Sequence, residues 1–90
     1  MTKDIYANLR EKLEEQGGWP QPYMFKFIIP SDNQKLAQVE AIFGDDAQVT
    51  TRQSKSNKYI SITAKEVMIS PEEVISTYKK TEGIEGLMSL

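Results

Sequence analysis

Five polar residues close together in the chain, Arg52, Ser54, Lys55, Asn57 and Lys58, are the best candidates for chemistry. They bring cations and hydroxyls into one short segment. Such a group binds a carboxylate or a phosphate through charge-assisted hydrogen bonds. The candidate anion or partner site is therefore Arg52, Ser54, Lys55 and Lys58. The segment lacks the glycines of a P-loop or a dinucleotide-binding turn, so a nucleotide cradle is not expected.

Other chemistries are closed by composition. The chain has no cysteine and no histidine. Thiolate nucleophiles, disulfides and the commonest neutral-pH base and metal ligand are thereby removed. What remains is oxygen and amine chemistry. The adjacent carboxylates Glu14-Glu15, Asp45-Asp46 and Glu72-Glu73 are neighbours in sequence, whereas glycosidase or metal sites need carboxylates converging from different elements. Each pair has a local explanation in a helix face, a turn or a cap. No catalytic residue, cofactor or metal is expected.

These residues must be carried by a chain of 90 residues with 13 acidic and 11 basic side chains, a net charge of −2. That length suits one domain. Its slight acidity does not suit a protein living on phosphate backbones. No apolar run approaches the ~20 residues of a membrane span, and the N-terminus lacks a signal-peptide core. A cytoplasmic location, away from membrane and nucleic acid, is the expectation.

Ile5, Leu9 and Leu13 recur at spacing four, which predicts a helix over 2–16, capped by Thr2 and ended by Gly17-Gly18. Its stripe is too narrow to form a core. The expectation is a docking helix, residues 1–18, lying on Met24 and Ile28 of this chain or another. A linker, Trp19-Pro20-Gln21-Pro22, follows, with Trp19 expected to cap a sheet edge. Residues 19–90 are expected to form the domain proper.

Tyr23, Phe25, Phe27 and Ile29 alternate with Met24, Lys26 and Ile28, so 23–29 reads as a strand. Ser31 to Gln34 fits a capping box and Gly44 a left-handed terminator, giving a helix over 32–43. Strands over 47–54 and 58–67 flank a turn at Ser54–Asn57. In the second, Ile60, Ile62 and Ala64 face inward, and Tyr59, Ser61 and Thr63 face a wetter side. Ser70-Pro71-Glu72-Glu73 opens a third helix that ends near Gly83. A last short strand is expected over 84–90.

The order after the first helix is β-α-β-β-α-β. It predicts an α+β, ferredoxin-like fold: a four-stranded antiparallel sheet with two helices on one face, plus an extra N-terminal helix. An RNA-recognition domain shares this order. Lys58-Tyr59-Ile60-Ser61-Ile62, however, has one aromatic residue and no glycine, so nucleic-acid binding is not expected.

Three segments carry a family likeness: Pro22–Pro30, Arg52–Ala64 and Ser70–Val74. Through them the chain resembles the small bacterial YbeD-like proteins over about residues 20–90. The resemblance implies a fold similar to ACT-type regulatory domains, which bind amino acids and control metabolic enzymes. Where such proteins carry Ser-Lys-Gly in the hairpin, this chain has Ser54-Lys55-Ser56, which puts a ligand site close to that backbone in doubt. The function expected is a non-catalytic regulatory or binding module for a small anionic metabolite or a metabolic enzyme. The alternative is a protein-interaction domain that dimerises and takes no small molecule.

Overall fold

The computed structural model describes residues 4–90. Its elements are α1 (Ala7–Gln16), β1 (Gln21–Pro30), α2 (Asn33–Glu40), β2 (Gln48–Gln53), β3 (Tyr59–Met68), α3 (Pro71–Thr81) and β4 (Met88–Ser89). The strands form one sheet in the order β2-β3-β1-β4, and every neighbouring pair is antiparallel.

Strand alternation builds the core. Phe25, Phe27 and Ile29 on β1 and Ile60, Ile62 and Ala64 on β3 all face one side and are buried. Val39 and Phe43 from α2 and the turn after it, and Val74 from α3, pack on that side in one apolar cluster. Tyr78 on α3 meets Phe25 edge-on, with ring centroids 5.1 Å apart. Its hydroxyl lies 3.0 Å from that of Tyr23. Burial and that hydrogen bond push the Tyr78 phenol above its usual range.

α3 begins as its sequence dictates. The Ser70 hydroxyl accepts the Glu73 amide at 3.2 Å, and Pro71 occupies the first turn. The other two helices depart from expectation. α2 is capped by Asp32, whose Oδ1 accepts the amides of Gln34 and Lys35, because Ser31 is held by the sheet: its amide donates to the Lys58 carbonyl. α2 ends at Glu40, and Ile42 and Phe43 follow in tighter turns onto Val39 and Glu40. Gly44 has no left-handed backbone; its amide donates to the Glu66 carboxylate at 3.0 Å.

α1 begins at Ala7, later than expected, because Asp4 turns the chain by accepting the Tyr6 amide at 2.9 Å. The expected Thr2 cap lies outside the described residues. Ile5 falls before the helix and is exposed, so only Leu9 and Leu13 face the protein. α1 does not dock on Met24 and Ile28. It lies against α3, on the same side of the sheet as the other helices, with Leu13 buried in the core. Trp19 folds back and packs, partly buried, against the apolar cluster. Its Nε1 donates to the Leu13 carbonyl at 3.0 Å, one of the carbonyls a helix end leaves without a partner.

A polar clamp fixes the outer side of α1. Arg10 pairs with Glu72 of α3 and with Asp4, each at 2.5 Å. The Tyr6 hydroxyl donates to Glu82 at 2.6 Å. With three helices on one side, the opposite face of the sheet carries no covering element among the described residues.

The candidate anion-binding sheet face

The register defines what this open face presents. β3 residue 63 sits between Thr50 of β2 and Lys26 of β1; residue 61 sits between Arg52 and Ile28; residue 65 sits between Gln48 and Met24. Met88 of β4 extends the second row, opposite Ile28. The Leu90 amide donates to the Lys26 carbonyl at 2.9 Å and extends the first. Alternation turns all these residues away from the core.

The face is divided lengthwise. Toward β2 and β3 its middle is polar, with Thr50, Arg52, Ser61, Thr63 and Lys65 lying between Tyr59 at one end of β3 and Val67 at the other. Toward β1 and β4 it is apolar, with Met24, Ile28, Met88 and Leu90 around Lys26. Most of the exposed large apolar side chains of the described residues lie here: Met24, Val67, Met88, Leu90 and Tyr59, from 49% exposure at Tyr59 to 72% at Leu90. Only Ile5 and Ile69 lie elsewhere.

The outward-facing charges on the strands are Lys26, Arg52 and Lys65, and no outward strand position holds Asp or Glu. The ion pairs among the described residues belong to Arg10, so none of these three cations is neutralised by a carboxylate. Asp46, in the loop before β2, and Glu66 share a small hollow with Gln48, Lys65 and Val67 at one end of the face. In a chain of net charge −2 this is a segregated basic surface. At its centre a shallow depression of about 360 Å³ is walled by Lys26, Thr50, Arg52, Ser61, Thr63 and Leu90. Two cations and three hydroxyls around one hollow can receive an anion by charge-assisted hydrogen bonds.

The structure separates the residues that the sequence grouped. Arg52 stands on the open face and lines the hollow. Ser54 does not join it: its Oγ accepts the Tyr59 amide at 3.1 Å and lies 3.3 Å from Ser56 Oγ, closing the hairpin. Lys55 and Lys58 are exposed in and beside that turn, where Asn57 adopts φ 61°, and neither lines the hollow. Lys26, Thr50, Ser61 and Thr63 were not candidates from sequence. Alternation shows which way each points, but only strand register brings them together.

Of the sequence-adjacent carboxylates, Glu72 makes a long-range contact and Glu73 a local one. Glu72 holds Arg10, and Glu73 accepts the Ile69 amide at 3.2 Å. Among the described residues no three Asp or Glu side chains gather as metal ligands would, and no helix is long and apolar enough to cross a membrane.

Fold and surface together define a class: a small α+β protein with three helices on one face of an antiparallel sheet and a basic, half-apolar face left open. A family of proteins of unknown function, DUF493, matches residues 14–89, and the chain belongs to that family. No curated protein matches the chain, and no solved structure does.

Proposed function

We propose that this protein is a non-catalytic binding module whose open sheet face recognises an anionic group, in a regulatory role. The observation that carries the reading is the sign of that face: its strand charges are Lys26, Arg52 and Lys65, with no carboxylate among them. The element order β1-α2-β2-β3-α3-β4 supports a ferredoxin-like arrangement of the ACT type. The resemblance to YbeD-like proteins favours the same reading. Face-to-face dimerisation is disfavoured, because an isologous contact would set this cationic surface against itself.

The test is a titration of the ¹⁵N-labelled protein with inorganic phosphate and with citrate, followed by amide shifts. Saturable shifts at Lys26, Arg52, Ser61 and Thr63, lost in Lys26→Ala with Arg52→Ala, are expected. An open face whose amides do not respond to either anion, or respond equally in the double variant, would remove the reading.

A further inference from the structure

We infer that the occupant of the open face is an acidic amphipathic helix of a partner protein, a conclusion that rests on the anion-binding reading above. Three observations choose it over a free small anion.

The first is size. The two central strands, β1 and β3, are ten residues each and run roughly 33 Å, and the six residues of β2 and two of β4 widen the middle of the face by about 4.8 Å on either side. That matches the footprint of one helix about 10 Å wide and some 20 residues long. A small anion over the hollow would leave Met24, Val67 and Met88 in water.

The second is the lengthwise division. Met24, Ile28, Met88 and Leu90 lie toward β1 and β4, and Arg52 and Lys65 lie toward β2 and β3. A helix with an apolar stripe beside a carboxylate row has the same two-sided pattern. Lys26, centred between Met24 and Ile28, meets the boundary between stripe and row. Such helices dock through residues spaced i, i+3, i+4 and i+7.

The third is charge. The three cations have no carboxylate partner of their own, so carboxylates from outside complete them. A lipid surface fits less well. The apolar residues share the flat strand surface with Lys26 and the hydroxyls of Thr50, Ser61 and Thr63, whereas interfacial insertion uses a continuous apolar face.

The probe is a synthetic, fluorescein-labelled peptide of about 18 residues with leucines at i, i+3, i+4 and i+7 and glutamates along one flank. The controls are the same composition scrambled to destroy the stripe, a version with lysine for glutamate, and vesicles of phosphatidylglycerol in phosphatidylcholine. The expected result is saturable anisotropy with the acidic peptide, at least tenfold weaker for both peptide controls. Amide shifts should fall on Met24, Lys26, Ile28 and Thr63. Lys26→Glu with Arg52→Glu, and separately Met24→Asp, should each weaken binding at least tenfold; the wild-type shift map stands as evidence even if a variant folds poorly. Equal binding of the scrambled peptide, shifts confined to the helices, or vesicle binding without peptide binding would each overturn the inference. If phosphate or citrate moves the open-face amides while the peptide does not, this inference fails and the anion-binding reading stands. If none of them does, both fail.

Discussion

Trp19 Nε1 donates to the carbonyl of Leu13 at 3.0 Å, so the linker that follows α1 is tied back to the residue by which α1 enters the core. Leu13 is 4% exposed. Leu13→Ala removes its apolar surface and leaves a void beside α3, which should cost about 3 kcal/mol. The residues of β1, β3, α2 and α3 that make up the rest of the core all lie after residue 18. A chain of residues 19–90 should therefore keep dispersed amide signals while unfolding at lower urea concentration than the whole chain. Urea midpoints of the three proteins check both statements. A Leu13→Ala midpoint equal to wild type would mean that α1 is not part of the core.

The outer clamp of α1 should loosen at both ends of the pH scale. The Tyr6 phenol is pushed up to about 12 by burial and by its hydrogen bond to Glu82. Its folded value is raised, so its contribution is complete below pH 10 and is lost as pH rises through about 12. The hydrogen bond from Arg10 holds the Asp4 carboxyl below its ordinary 3.8. That contribution is complete above the ordinary value and is lost as pH falls through the lowered one. Trp19 is the single tryptophan and reports on the end of α1. Its fluorescence should change in both windows; Tyr6→Phe should remove the alkaline step and Asp4→Asn the acidic one. A profile unaltered by both substitutions would show that the clamp does not hold α1.

Much of this architecture was legible in the sequence. Tyr23, Phe25, Phe27 and Ile29 alternate strictly, and period two has one strong reading. Ser70-Pro71-Glu72-Glu73 carries its own start signal. What stayed hidden depends on distant partners. Ser31 and Asp32 are both good caps, and the choice fell to Asp32 because the hairpin holds the Ser31 amide. Leu9 and Leu13 announce a buried stripe but not the surface that buries it; Arg10 and Glu72, 62 residues apart, help to settle that. The candidate site was half legible for the same reason. Arg52 was visible as a cation near hydroxyls, but Lys26 and Thr63 become its neighbours only through antiparallel register.

Gly86 should tolerate no side chain. Its φ is 83°, a region L-residues rarely occupy, and a Cβ there would meet Pro30 Cγ at 2.8 Å. The glycine lets the turn before β4 pass close over the end of β1. Gly86→Ala should destabilise by about 1–3 kcal/mol, from the strained backbone and the contact. The strain should also pull β4 from β1, so the Leu90 amide, which donates to the Lys26 carbonyl, should lose protection against hydrogen exchange. Retained protection of Leu90 and an unchanged melting temperature would contradict this account.

The hairpin and the open face can be told apart by which basic residues matter. Arg52 projects from β2 beside Ser61 and lines the hollow; Lys55 and Lys58 belong to the turn region and do not. All three are exposed, so replacing any of them with alanine should change folding stability by no more than about 0.5 kcal/mol. Binding should separate them. In phosphate and citrate titrations Arg52→Ala should weaken binding severalfold, because a charge-assisted contact in the hollow is lost. Lys55→Ala and Lys58→Ala should act only through long-range attraction, which salt near physiological strength screens over roughly 8 Å. Their small effects should fade as sodium chloride is added, while the Arg52 effect persists. If Lys55→Ala instead weakens binding as much as Arg52→Ala at high salt, recognition lies at the hairpin tip, and Lys26, Thr50 and Thr63 are bystanders.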